Sequence, residues 1–200
     1  MELLFVDACP RRRESRTLSL ARYMLGKLAE QCPDLVCTTH CLAEMGLKDI
    51  SARRLKRREA LCDRMDWDDP LIRTGRDFSK ADAVVIAAPY WDLSFPSVLK
   101  TWVENIWVRN LTFVYRQDKP VGLARAKAAV YLTTSGSPIA GHDWGTAYIE
   151  DVMRTLGIPG FLSVKAEGLD LDGADIGGIM EKARADAAAA AGWLAAEMMR

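Results

Sequence analysis

Residues 81–108 read ADAVVIAAPYWDLSFPSVLKTWVENIWV. The first part, Ala83–Ala88, is a short unbroken apolar run. Such runs mark strands covered on both faces, which have no solvent side to demand alternating polar residues. The second part changes period. Phe95, Val98, Leu99, Trp102, Val103 and Ile106 share one broad helical face over 94–108. Ser94 is placed to cap that helix, with Pro96 inside its first turn. Lys100 and Glu104, four residues apart, are placed to pair on its exposed side. A buried strand leading into an amphipathic helix is the repeating unit of a parallel α/β sheet.

The pattern repeats on both sides of this stretch. Further strands are expected at Leu3–Asp7, Leu35–Cys41, Ala128–Thr134 and Phe161–Gly168. Helices are expected at 17–31, where Leu18, Ala21, Met24, Leu25 and Leu28 keep helical spacing, at 146–156, and over the alanine-rich segment 174–199. Residues 48–80 are long for a connection and are read as one or two helices. Their basic run (Arg53, Arg54, Lys56, Arg57 and Arg58) is read as a solvated face. The sum is an α/β fold, a flavodoxin-like three-layer sandwich around a five-stranded parallel sheet in the order 2-1-3-4-5 with right-handed crossovers. No repeat or Gly/Ser-rich linker interrupts it, so residues 1–200 are read as one domain.

Composition fits that reading. Half of the 200 residues are hydrophobic, and 27 basic side chains balance 27 acidic ones. A chain without net charge gives no reason to expect a nucleic acid or an anionic membrane as partner. No stretch approaches the roughly 20 apolar residues of a membrane span, and no secretory leader is recognised. Cys9, Cys32, Cys37, Cys41 and Cys62 are odd in number and lack a C-x-x-C pair. This argues against a disulfide framework or a metal ribbon and for a reducing, cytoplasmic setting.

In an open α/β sheet, ligands bind beyond the carboxyl ends of the strands, at the topological switch point. The loop after the first strand carries Cys9, then Arg11, Arg12, Arg13, Ser15, Arg16 and Thr17 where a helix begins. Free N–H groups at a helix start suit a phosphate, and the arginines would add positive potential. The loop after the third strand, Pro89–Tyr90–Trp91–Asp92–Leu93, has two adjacent aromatics fit to cover a flat ring. The loop after the fourth, Thr134–Ser135–Gly136–Ser137, is small enough for the backbone to approach a ligand closely. Each also has a plain structural reading, as cap, core or turn.

Taken together, Ala87–Trp91, Pro96–Glu104, Leu111–Tyr115, Gly122–Leu123 and Leu132–Ser137 resemble the FMN-dependent NADH-azoreductases and the related NAD(P)H quinone reductases. The resemblance implies FMN held by Ser15, Arg16 and Thr17 with Cys9 nearby, by Pro89, Tyr90, Trp91, Asp92 and Leu93, and by Thr134, Ser135, Gly136 and Ser137. It implies NADH or NADPH as reductant, a small aromatic electron acceptor such as a quinone, azo dye or nitroaromatic, and ping-pong hydride transfer. His142, in the loop after the fourth-strand turn, is the candidate proton donor. A homodimer is also implied, with Trp102, Trp107 and Tyr115 as candidates for its boundary. The chain departs from the family in lacking the serine usually found near Cys9, in carrying Asp92 where an asparagine is common, and in having Gly136–Ser137 where the family has a Gly-Gly pair. Two other readings stay open: a flavodoxin-like electron carrier, and a low-molecular-weight phosphatase-like hydrolase built on Cys9.

Overall fold

Three strands form the middle of the molecule because their residues are mostly apolar, with charge kept to the ends of the first. In a computed structural model describing residues 1–200, β1 (Glu2–Asp7), β3 (Ala83–Ala87) and β6 (Ala128–Thr134) lie side by side and are buried apart from Glu2 at one end. β2 (Val36–Cys41) and β7 (Gly160–Ala166) flank them, giving a parallel sheet in the order β2-β1-β3-β6-β7. Successive side chains point to opposite faces. Leu3, Phe5, Val85 and Val130 therefore meet α1 (Arg16–Gln31) and α6 (Ile176–Met198). Leu4, Val6, Val84 and Ile86 meet α3 (Arg73–Lys80), α4 (Ser97–Ile106) and α5 (Trp144–Thr155) through Phe78, Trp102 and Ile149. The three layers are those of a flavodoxin-like α/β fold. No helix is long and apolar enough to cross a membrane.

The expected strand order needs one correction. The chain forms seven strands, so the sheet order in chain numbering is 2-1-3-6-7, not 2-1-3-4-5. The two additional strands, β4 (Phe113–Arg116) and β5 (Lys119–Gly122), form a hairpin apart from the sheet. Its turn residues Gln117 and Asp118 are both left-handed, at φ 49° and 59°. That is the type I′ geometry, which Asn-Gly usually announces and Gln-Asp does not. The hairpin is tied down where the Leu123 amide donates to the Thr112 carbonyl at 2.9 Å and the Ala124 amide to that of Leu156 at 3.0 Å.

Two helix starts also differ from expectation. α4 begins at Ser97, not Ser94, because Trp91 and Ser94 close a tight turn with mutual backbone bonds of 3.2 and 2.8 Å. Pro96 then keeps Phe95 out of helical geometry. α5 begins two residues before Thr146, since the Asp143 carboxylate accepts from the Thr146 amide at 2.9 Å and caps it earlier.

The basic run falls on α2 (Ala52–Arg64) but is not wholly solvated. Arg54 donates to Asn105 Oδ1 at 3.1 Å and Arg58 to the Glu104 carbonyl at 2.7 Å. These two cations, one turn apart, hold α2 on the C-terminal end of α4, where the helix dipole favours positive charge.

Candidate ligand cleft at the sheet edge

The site begins where β1 ends. The buried Asp7 carboxylate accepts from the Cys9 amide at 3.0 Å and from Arg12, whose other nitrogen reaches Glu44 at 2.8 Å. Arg12 is left-handed at φ 52°, a conformation this double pairing holds in place. The chain then turns into α1, capped by Ser15, whose hydroxyl accepts from the Leu18 amide at 3.1 Å. The amides of Arg16 and Thr17, first in the helix, have no acceptor in the fold. Below them the hydroxyls of Thr17 and Thr134 share a buried bond of 2.7 Å, tying α1 to the end of β6.

Backbone pairing carries the sheet past the strands into the neighbouring loops. Ala88 donates to Leu132, Tyr90 to Thr134, Ser135 to Ala166 and Leu169 to Ser135, at 2.9–3.1 Å. A cleft of about 250 Å³ opens between these loops. Ser15, Arg16 and Thr17 form one wall, Pro89, Tyr90 and Trp91 another, and Thr134, Ser135 and Gly136 a third. The loops singled out after three separate strands thus meet on one rim.

Five candidates do not line this cleft. Cys9 is buried in the core, its thiol donating to the Ala87 carbonyl at 3.5 Å, and burial pushes that thiol up to about 12. Asp92 and Leu93 form the tip of the 91–94 turn, both left-handed, with Leu93 68% exposed. The Ser137 side chain faces solvent, and only its carbonyl takes part, accepting from the Ser135 hydroxyl at 2.6 Å. His142 is exposed and stacks on Trp144 with ring centroids 5.1 Å apart.

One contributor was not foreseen. Leu169 and Asp170, after β7, complete the rim. β7 pairs with β6, so its loop must emerge beside the β6 loop, and strand order alone could have pointed to it. Asp170 also changes the charge balance. Arg16 pairs with it at 2.7 Å, and Arg12 is held by Asp7 and Glu44, so two of the four loop arginines are already neutralised.

Larger hollows lie elsewhere. One of about 810 Å³ runs between β7 and α6, and one of about 710 Å³ lies behind β2 and α3. Neither sits at the switch point between β1 and β3. The smaller cleft is the one at the switch point, where ligands bind in open α/β sheets and where the three loops converge.

A parallel sheet in this order, with a small polar and aromatic cleft across the ends of β1, β3 and β6, defines a flavodoxin-like α/β protein. The chain belongs to the Flavodoxin_2 family, described as having the flavodoxin-like fold, whose pattern matches residues 1–191. Among its relatives is FMN-dependent NADH:quinone oxidoreductase 2 of Clostridium acetobutylicum, 36% identical over 129 residues, or 60% of this chain and 64% of the relative. FMN-dependent NADH:quinone oxidoreductase of Caldicellulosiruptor saccharolyticus is 27% identical over 192 residues, 93% of this chain and 96% of the relative. A crystal structure of an FMN-dependent NADH-azoreductase from Bacillus anthracis str. Ames Ancestor in complex with FMN superposes with a TM-score of 0.84. That match covers 97% of this chain and 99% of the other at 20% identity, which speaks to the fold. The resemblance read from residues 87–104 and 132–137 thus holds at the level of the family.

Proposed function

We propose that residues 1–200 act as one FMN-binding domain, an FMN-dependent NAD(P)H oxidoreductase that reduces quinones and related azo or nitroaromatic acceptors. The observation that carries this reading is the convergence of three loops on one cleft with a charged end and an aromatic wall. The residues present suit the cofactor. The free Arg16 and Thr17 amides with the Arg16 and Arg11 guanidinium groups are a phosphate site. Tyr90 and Trp91 offer flat faces for the ring, and Gly136 lets backbone approach its polar edge. When bound, FMN supplies the electron-transfer chemistry, which no protein side chain provides.

The chain's own groups then bind, orient and exclude water. Thr17 and Thr134 fix the cleft floor through their shared bond, and Trp91, 38% exposed, is the wall that a flat reactant can reach. With one cleft at the switch point, reductant and acceptor would use it in turn, so ping-pong kinetics are expected. His142 stacks on Trp144 outside the cleft and is not placed to hand a proton to a ligand in it. The hydrolase reading is disfavoured, because a buried thiol with its pKa raised to about 12 is no nucleophile at neutral pH.

The test is to incubate the purified chain with FMN, remove unbound flavin, and follow NADH and NADPH oxidation with a quinone. Retained yellow flavin and sustained turnover, giving parallel double-reciprocal lines, are expected. Flavin retention without turnover would instead identify an electron carrier. Unchanged melting in saturating FMN would remove the cofactor assignment altogether.

The five cysteines are free, which fits a cytoplasmic setting. We further propose a homodimer. Tyr115, Val121, Leu123 and Trp144 are exposed apolar side chains, and Tyr115 and Val121 lie on the β4–β5 hairpin that stands apart from the sheet. Trp102 cannot contribute, being fully buried, and Trp107 packs on Phe113 at 5.6 Å. Sedimentation at micromolar concentration should give twice the chain mass, and a Tyr115→Glu, Val121→Glu pair should give the monomer. A wild-type monomer at that concentration rejects the dimer.

A further inference from the structure

At the charged end of the cleft the Asp170 carboxylate faces Arg16 across the Gly136 position. Asp170 Oδ1 accepts from Arg16 Nη1 at 2.7 Å, and the same nitrogen donates to the Leu169 carbonyl at 3.2 Å. The Asp170 amide donates to the Gly136 carbonyl at 2.9 Å. A Cβ at position 136 would collide with the Asp170 carboxylate, so only glycine leaves room for it to lie across the cleft toward α1. Arg16, Gly136 and Asp170 all line the cleft.

We propose that Asp170 is an internal rival of the cofactor's phosphate, and so a specificity-determining residue. Its carboxylate holds Arg16 until a phosphate displaces it, and this contest sets how far the chain prefers FMN to the unphosphorylated flavin. The inference rests on the FMN reading above.

The ion pair is displaceable: Asp170 is 66% and Arg16 41% exposed in their side chains, and exposed pairs are weak. The cost falls on the incoming phosphate. A phosphate at the start of α1 would stand beside a carboxylate, and like charges in one site oppose each other. Either the carboxylate swings out or Arg16 is shared, and both lower the affinity for a phosphorylated ligand. Riboflavin carries no phosphate and is indifferent to the contest. The backbones on each side are fixed, that of Arg16 by α1 and that of Asp170 by the hydrogen bond its N–H donates to the Gly136 carbonyl, so the rivalry is built into the rim.

The experiment titrates FMN and riboflavin separately into the cofactor-free chain of residues 1–200, reading flavin fluorescence, for wild type, Asp170→Asn and Asp170→Ser. Both substitutions keep the backbone bond to Gly136, and melting of each variant without flavin checks that it is folded. Asp170→Asn should tighten FMN about tenfold, the reach of one lost pair and one lost repulsion. It should leave riboflavin within about twofold of wild type. The same ratio of the two affinities in both folded variants and wild type overturns the proposal. So does weaker binding of both flavins, which would make Asp170 a loop strut. Wild type that binds neither flavin rejects the FMN reading itself, and this inference with it.

Discussion

His40 shows how one buried polar side chain can be read to its protonation state. Its Nδ1 lies 3.1 Å from Trp102 Nε1, and its Nε2 lies 3.1 Å from Asp77 Oδ2. An indole nitrogen only donates, so Nδ1 must accept, and the single ring proton sits on Nε2 facing Asp77. A second proton would break the Trp102 bond. Burial lowers the histidine below its ordinary value, with Arg73 also opposing charge, and the Asp77 carboxylate only partly restores it. The unfolded chain then binds the proton more readily than the folded one. Stability is complete above the unfolded value of about 6.5 and is lost as pH falls from there through the lower folded value. Urea unfolding between pH 7.5 and 5 should show this decline, and His40→Gln should flatten it. An equal slope in the variant would assign the dependence to other groups. Nothing around His40 in the chain signals this role, because Trp102 and Asp77 come from distant helices.

At the scale of elements, the β4–β5 hairpin carries a strain that a substitution can relieve. Asp118 sits at φ 59° in a two-residue turn where glycine is preferred. Asp118→Gly should raise stability by about 1 kcal/mol, the cost of holding an L-residue left-handed. Chemical denaturation measures it, and a loss of stability would show that the Asp118 side chain is needed. The same geometry explains what sequence reading could and could not see. Ala83–Ala87 and Ala128–Thr134 were legible because burial on both faces leaves an unmistakable apolar run. Ser15 was legible as a cap because its hydroxyl answers a local need of the backbone. The hairpin and the turn at 91–94 were not, since Gln117, Asp118, Asp92 and Leu93 adopt left-handed backbones without glycine. Tertiary packing imposes those conformations, and a local signal cannot announce them.

For the whole molecule, the decisive information is which strand ends become neighbours. Ser15 and Thr17 are more than 70 residues from Tyr90 and more than 110 from Thr134 in the chain, yet all line one cleft. Alternation of strand and helix was enough to bring them together on paper. Asp170 escaped notice because its importance lies in a contact with Arg16, 154 positions away, and not in any motif of its own. The outward turn of Leu93 and the inward turn of Cys9 were equally invisible, each depending on a single backbone angle or strand register. Main-chain pairing runs beyond β3, β6 and β7 into the loops at Tyr90, Ser135 and Leu169. Those segments lose their freedom when the chain folds, long before anything docks. An incoming molecule meets a preorganised seat and need not immobilise it, so affinity is governed by chemical match at the seat and not by the entropy of arranging it.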